Sequence, residues 1–231
     1  MLERDVQKRL VDFISGTVEI PDEPRNPIRI YKELVHYRFA EVIGNAMPDF
    51  SQILGDERLD DLIYGFIQSK PQTPFVWQVP SLFMKYLLDF HLVDDIAYAQ
   101  DLMWFESVEV DLLMGEYEKP KAEVFNWDEN FSLSKSMRMK SLNYAVNQNN
   151  FEKIDEHPLV MYYHFEQFNV FFQEITPFMF RFLSYLEDML PREALMSICA
   201  DFHISEENEV KELLQGALEE FSSLNIINKE K

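Results

Sequence analysis

Residues 159–172 read Leu159-Val160-Met161-Tyr162-Tyr163-His164-Phe165-Glu166-Gln167-Phe168-Asn169-Val170-Phe171-Phe172. Aliphatic, β-branched and aromatic side chains fill both sides of Glu166-Gln167, so the stretch predicts two strands of a hairpin. No glycine is at hand for the favoured primed turns. Just upstream, Met137 and Met139, then Leu142, Tyr144 and Val146, alternate with polar residues. That period of two puts the methionines on one strand face and the charges of Lys135, Arg138 and Lys140 largely on the other.

Helices follow the hairpin. Thr176-Pro177 opens one through about Asp188, and Pro191 opens a second to about Asp201. Ser205, as N-cap with acids in the first turn, opens a third to about Ser222. Strands followed by three helices, the last two joined by a short turn, make a winged-helix-like α+β pattern.

The first half reads as all-α. Val6, Leu10, Phe13 and Ile14 recur at helical spacing over 3–15, and Asn26-Pro27 starts a helix striped with Ile28, Tyr31, Leu34, Val35, Phe39 and Val42. Asp56 caps the next helix, Lys70-Pro71-Gln72-Thr73-Pro74 breaks it, and helices follow at about 80–90 and 93–114, the second ending at Gly115. The expected architecture is therefore α+β, with a helical domain over 1–115 and a winged-helix-like domain over 116–231. The acidic stretch 115–130 serves as linker or first strand.

The net charge of −20, from 41 acids against 21 bases, bears most directly on function. Affinity for a polyanionic duplex comes mainly from Lys and Arg that displace condensed counterions, so the field of this chain repels DNA and anionic lipid. In a helix-turn-helix reading the groove-entering helix would be 205–222. It carries Glu206, Glu207, Glu209, Glu212, Glu219 and Glu220 against Lys211 alone. The N-terminus lacks the apolar core of a signal peptide, and no run of about 18 apolar residues offers a membrane span. With the single Cys199, a reduced cytoplasmic setting is expected.

Catalytic motifs are missing from the sequence. The histidines 36, 91, 157, 164 and 203 show no metal-ligand spacing, and no Gly-x-Ser-x-Gly elbow or glycine-rich phosphate loop can be drawn. His91 and His164, among apolar neighbours, are expected to be satisfied structural residues, and Cys199 a buried inert thiol. No catalytic residue, cofactor or metal is assigned.

Several elements of the first half share an order with a known family. They are Arg29-x-Tyr31, Met47-Pro48-Asp49-Phe50, Leu54-Gly55-Asp56-Glu57, Thr73-Pro74, Leu82-Phe83-x-x-Tyr86-Leu87, Asp95-Ile96-Ala97 and Trp104-Phe105-Glu106. In this order and spacing residues 5–115 resemble the bacterial HvfC/BufC family, whose N-terminal region carries a DNA-binding name. The aromatic-acid step at Trp104-Phe105-Glu106 departs from the Glu-Trp order of that family. The resemblance implies a non-catalytic partner of a multinuclear non-haem iron oxygenase in ribosomal peptide maturation. It also implies that the C-terminal region holds a precursor peptide as an added strand. The peptide-binding residues expected on that basis are Phe168, Val170 and Phe172 on the edge strand, with Glu209 and Glu212 on the adjacent acidic helix. Arg29, Tyr31 and Trp104 are expected to dock the partner. A DNA-binding transcriptional regulator is the competing expectation.

Overall fold

The computed structural model describes residues 8, 11–13, 16, 18, 27–119, 121, 123–205 and 207–229. The helix expected over 3–15 thus lies largely outside the described residues, though 8 and 11–13 are helical. The chain divides into two compact units, Met1–Asp111 and Leu112–Lys231.

The first unit is helical, with α1 (Pro27–Ala46), α2 (Pro48–Leu54), α3 (Asp56–Gln68), α4 (Val79–Asp89) and α5 (Ala99–Met114), the last running past the division. Its core gathers Ile43, Met47, Phe50, Ile63, Phe66, Phe83, Leu87, Leu102 and Met103, each fully buried or nearly so. Burying a side chain of this kind contributes roughly 1.5–3 kcal/mol. Gly65 allows Tyr86 to pack against α3, since a Cβ there would stand 2.6 Å from the tyrosine hydroxyl.

Several expectations for this unit are corrected. Tyr31 and Leu34 of the α1 stripe are exposed, and the buried face instead carries His36, Ile43 and Ala46. Asp56 is the first helical residue of α3 rather than its cap; that place belongs to Gly55, whose φ of 73° a side chain would strain. The helix expected from 93 begins at Ala99. Residues 90–98 turn instead, because Arg58 of α3 grips Asp95 through two bonds of 2.6 and 2.7 Å and donates to the Leu92 carbonyl at 2.9 Å. The same guanidinium holds the Asp95 carboxyl below its ordinary range. Gly115 follows α5 without the positive φ of a left-handed cap.

The short helix α2 lacks a side-chain cap of its own. Glu106 of α5 supplies one from 57 residues away, accepting from the Asp49 N–H at 2.8 Å and the Phe50 N–H at 3.1 Å. A carboxylate at the positive end of a helix satisfies donors that would otherwise be orphaned. Burial nevertheless outweighs those bonds and pushes the Glu106 carboxyl up to about 7, with the Asp49 and Glu109 carboxylates acting in the same direction.

The second unit is α+β, as the sequence indicates. Its strands are β1 (Phe131–Leu133), β2 (Met137–Tyr144), β3 (Lys153–His164), β4 (Asn169–Glu174) and β5 (Ile227–Lys229). Its helices are α6 (Pro177–Tyr185), α7 (Pro191–Asp201) and α8 (Glu207–Ser223). Strands β2, β3 and β4 form an antiparallel sheet in that order, while β5 returns after the helices to pair with β1. Helix α6 packs on β3 and β2, α7 packs on α6 and α8, and α8 packs on β5. Thr176 caps α6 by accepting from the Met179 N–H at 3.1 Å. The Ser205 cap expected for α8 involves Glu206, outside the described residues.

The core of this unit joins Met137, Val160 and Tyr162 of the sheet to Phe182, Leu183, Ile198, Leu214, Leu218 and Phe221 of the helices. Residues 123–130 are not a free linker. Phe125 and Trp127 are buried in this core, Trp127 donates to Gln215, and Ser222 donates to the Glu123 carbonyl.

Because Glu106 holds its proton to a higher pH when folded, the folded state binds more protons than the unfolded between about 4.5 and 7. The stability contributed by this group should therefore fall as pH rises through that window and level off above it. Denaturant unfolding of wild type and Glu106→Gln across that range should show the slope in the wild type and its loss in the variant. Glu106→Ala should cost about 1–3 kcal/mol by leaving one buried and one part-buried N–H group without its acceptor.

Candidate functional site

Strand β3 is buried through the consecutive residues Leu159, Val160, Met161 and Tyr162 and is paired on both sides. β4 is consequently an edge. The Ile175 N–H bonds the Pro158 carbonyl at 3.0 Å, which fixes the alternation along the β3–β4 register. Phe171 and Gln173 direct their backbone groups at β3, whereas Val170 and Glu174, and by the same alternation Phe172, turn theirs away. Pro158 has no N–H to return, so the β3–β4 ladder stops there while β3 continues beside β2 to Lys153.

The turn corrects the expected two-residue connection. Four residues, 165–168, make it, with the Gln167 and Phe168 N–H groups both reaching the His164 carbonyl. Phe168 takes a φ of 50°, a left-handed conformation uncommon for a bulky residue, where a glycine would relieve the strain. It is a turn residue with 74% of its surface exposed, not part of the strand. Val170 is half-buried opposite Tyr163, and Phe172 is half-exposed opposite Met161. Phe171, on the other face, packs against the core and lies edge-on to His164 at 5.5 Å.

The far end of β4 is clamped. Glu174 accepts from Asn147 at 2.8 Å and Gln148 at 2.6 Å, and Asn147 bonds His157 at 2.8 Å. The Gln148 bond, with Asn147 and His157 adding, holds the Glu174 carboxyl below its ordinary range. Chain pattern alone does not reveal this clamp, because its members are separated by up to 27 residues.

Helix α8 packs on α7 and β5. Glu209 and Glu212 are exposed on it, next to Leu213, which is 81% exposed. Lys211, the single base of that helix, lies over the Trp127 ring at 5.6 Å. No family model matches the chain. No curated protein matches it either.

The expected docking residues lie on two helices. Arg29 and Tyr31 are exposed near the start of α1, Arg29 at 3.5 Å from Glu33, while Trp104 is half-buried in α5. Met137 is buried in the core and Met139 packs against it, while Arg138 folds back to donate to the Lys135 and Met137 carbonyls, as the strand alternation suggests. Among the histidines, His164 is half-buried with its Nδ1 accepting from the Gln167 N–H at 3.3 Å. His91 is instead exposed, 3.0 Å from Asp94. His36 is buried, stacked on Tyr64 at 3.9 Å, with its Nε2 lacking a hydrogen-bond partner and 3.7 Å from Asp60. Cys199 is buried, and burial raises its thiol. Among the described residues no group of three or more His, Cys, Asp or Glu is placed to hold a metal ion, and no helix is long and apolar enough to cross a membrane.

The two neighbouring phenylalanines of β4 should respond differently to truncation. Phe171→Ala, which empties part of the core, should cost about 2 kcal/mol or more, and Phe172→Ala less than about half of that. Urea unfolding monitored by the fluorescence of buried Trp127 checks the face assignment.

Proposed function

We propose that this protein is a non-catalytic adaptor that receives an extended precursor peptide on the outer edge of β4 and presents it to a multinuclear non-haem iron oxygenase. The single observation that carries the reading is that edge: a short strand held in place by its clamp, backbone groups turned outward, with the Phe172 side chain exposed on it and Phe168 exposed in the turn that precedes it. A peptide added there gains main-chain hydrogen bonds from alternate residues, while its side chains meet the aromatic surface. The identity of the enzyme and the ribosomal origin of the peptide rest on the family resemblance of residues 5–115.

Electrostatics favour this over duplex binding. The exposed acids of α8 repel phosphates, and its one lysine is held over an indole ring rather than presented to a groove. Those acids suit a basic peptide segment. A DNA reader would lose affinity steeply with salt, at a slope set by the phosphates it neutralises.

The test is affinity capture of the tagged full chain from its host lysate, nuclease-treated in parallel, using wild type and Val170→Pro. Proline at 170 deletes an outward N–H and leaves the β3–β4 ladder intact. Nuclease-resistant recovery of an iron oxygenase and a small cysteine-bearing peptide, with the peptide lost from the variant, is the expected result. DNA recovered without the enzyme and removed by nuclease would establish the regulator instead. Charge reversal of Glu209 and Glu212 should lower affinity for the recovered peptide several-fold in calorimetry if α8 contributes, consistent with about 0.2–1 kcal/mol per exposed ion pair.

A further inference from the structure

A cleft of about 950 Å³ opens over the polar face of the β1–β5 pair, walled by residues 116–119, 121 and 123 and by the turn at 134–136. Ser132 and Asn228 stand opposite one another in the register and so share the face that forms its floor, while Phe131 and Ile227 are buried on the other side. Both floor residues are half-buried, and among the described residues neither side chain hydrogen-bonds to the protein.

The charge of this cleft departs from that of the chain. Its lining holds four lysines against three glutamates, in a protein where acids outnumber bases nearly two to one. Lys119 pairs with Glu166, and Lys229 pairs with Glu129 at 2.8 Å and Glu123 at 3.6 Å. Lys121 and Lys135 remain, and among the described residues neither has a carboxylate within 4 Å. A hydroxyl, an amide and two ammonium groups without a carboxylate within 4 Å thus line one space, which the Glu116 and Glu118 carboxylates also line. Screening at physiological salt limits the reach of distant acids to about 8 Å, so these near groups decide what the cleft accepts.

We propose that this cleft binds an oxyanion group, carboxylate or phosphate, seated between Lys121 and Lys135 over Ser132 and Asn228. The space exceeds that of a single such group, so the oxyanion is one part of a larger ligand. The site is separate from the β4 edge and does not depend on the adaptor reading.

The test titrates the ¹⁵N-labelled full chain with inorganic phosphate, tripolyphosphate and an acetylated tetraglutamate peptide, following amide resonances. Saturable shifts at Ser132, Lys135 and Asn228 are expected with at least one probe. Lys121→Gln and Lys135→Gln should each weaken binding about tenfold, as loss of a charge-assisted bond implies, and added salt should weaken it further. Binding of the phosphates alone identifies a phosphorylated ligand, and binding of the peptide alone identifies an acidic polypeptide segment. Val170→Pro should leave these shifts unchanged, which separates this site from the β4 edge. Absence of saturable shifts with all three probes, or undiminished affinity in the folded Lys121→Gln/Lys135→Gln double variant, overturns the proposal.

Discussion

Burial of five consecutive residues of β3, Pro158 to Tyr162, constrains the second unit more than any other interaction. Side chains alternate across a strand, so burial without alternation means that both faces are covered. Both edges of β3 are also occupied, by β2 and by β4. With its centre fixed in this way, the sheet ends at β4. The missing N–H of Pro158 closes the β3–β4 ladder, and the Glu174 clamp fixes the last residue of the strand, so that its outer groups are held in position rather than left to fray. A surface that binds by main-chain bonding needs such preorganisation, because ordering a strand on binding costs entropy.

The first unit depends on a different device. Glu106 satisfies two opening donors of α2, joining two helices distant in sequence through a carboxylate that burial keeps partly protonated near neutrality. Arg58 does comparable work at the surface, where its grip on Asp95 and Leu92 replaces a turn of helix with a fixed bend. Polar contacts of this kind tie α5 to the start of α2, and α3 to the bend that precedes α5.

Charge is distributed unevenly in a way that separates possible ligands. The acids of α8 face solvent while its lysine lies over Trp127, and Lys121 and Lys135, which among the described residues have no carboxylate within 4 Å, line the cleft over the β1–β5 face together with Glu116 and Glu118. Net charge therefore describes the long-range field, while the local pattern decides what is held at contact.

The sequence by itself determined the two-part character of the chain, the strand pairs of the hairpin, the helices opened by Pro177 and Pro191, and the methionine face of β2. Each is written in local periodicity or in a proline at a helix start, and such signals survive without tertiary context. Only the tertiary structure decided the rest. Tyr31 and Leu34 belong to an apolar stripe yet are exposed, since a stripe does not say which part of it finds a partner. The α2 cap from Glu106, the Glu174 clamp and the return of the three-residue β5 to β1 all join residues far apart in the chain. Local pattern carries no information about such pairings, because the donors and acceptors meet only once the core has placed them.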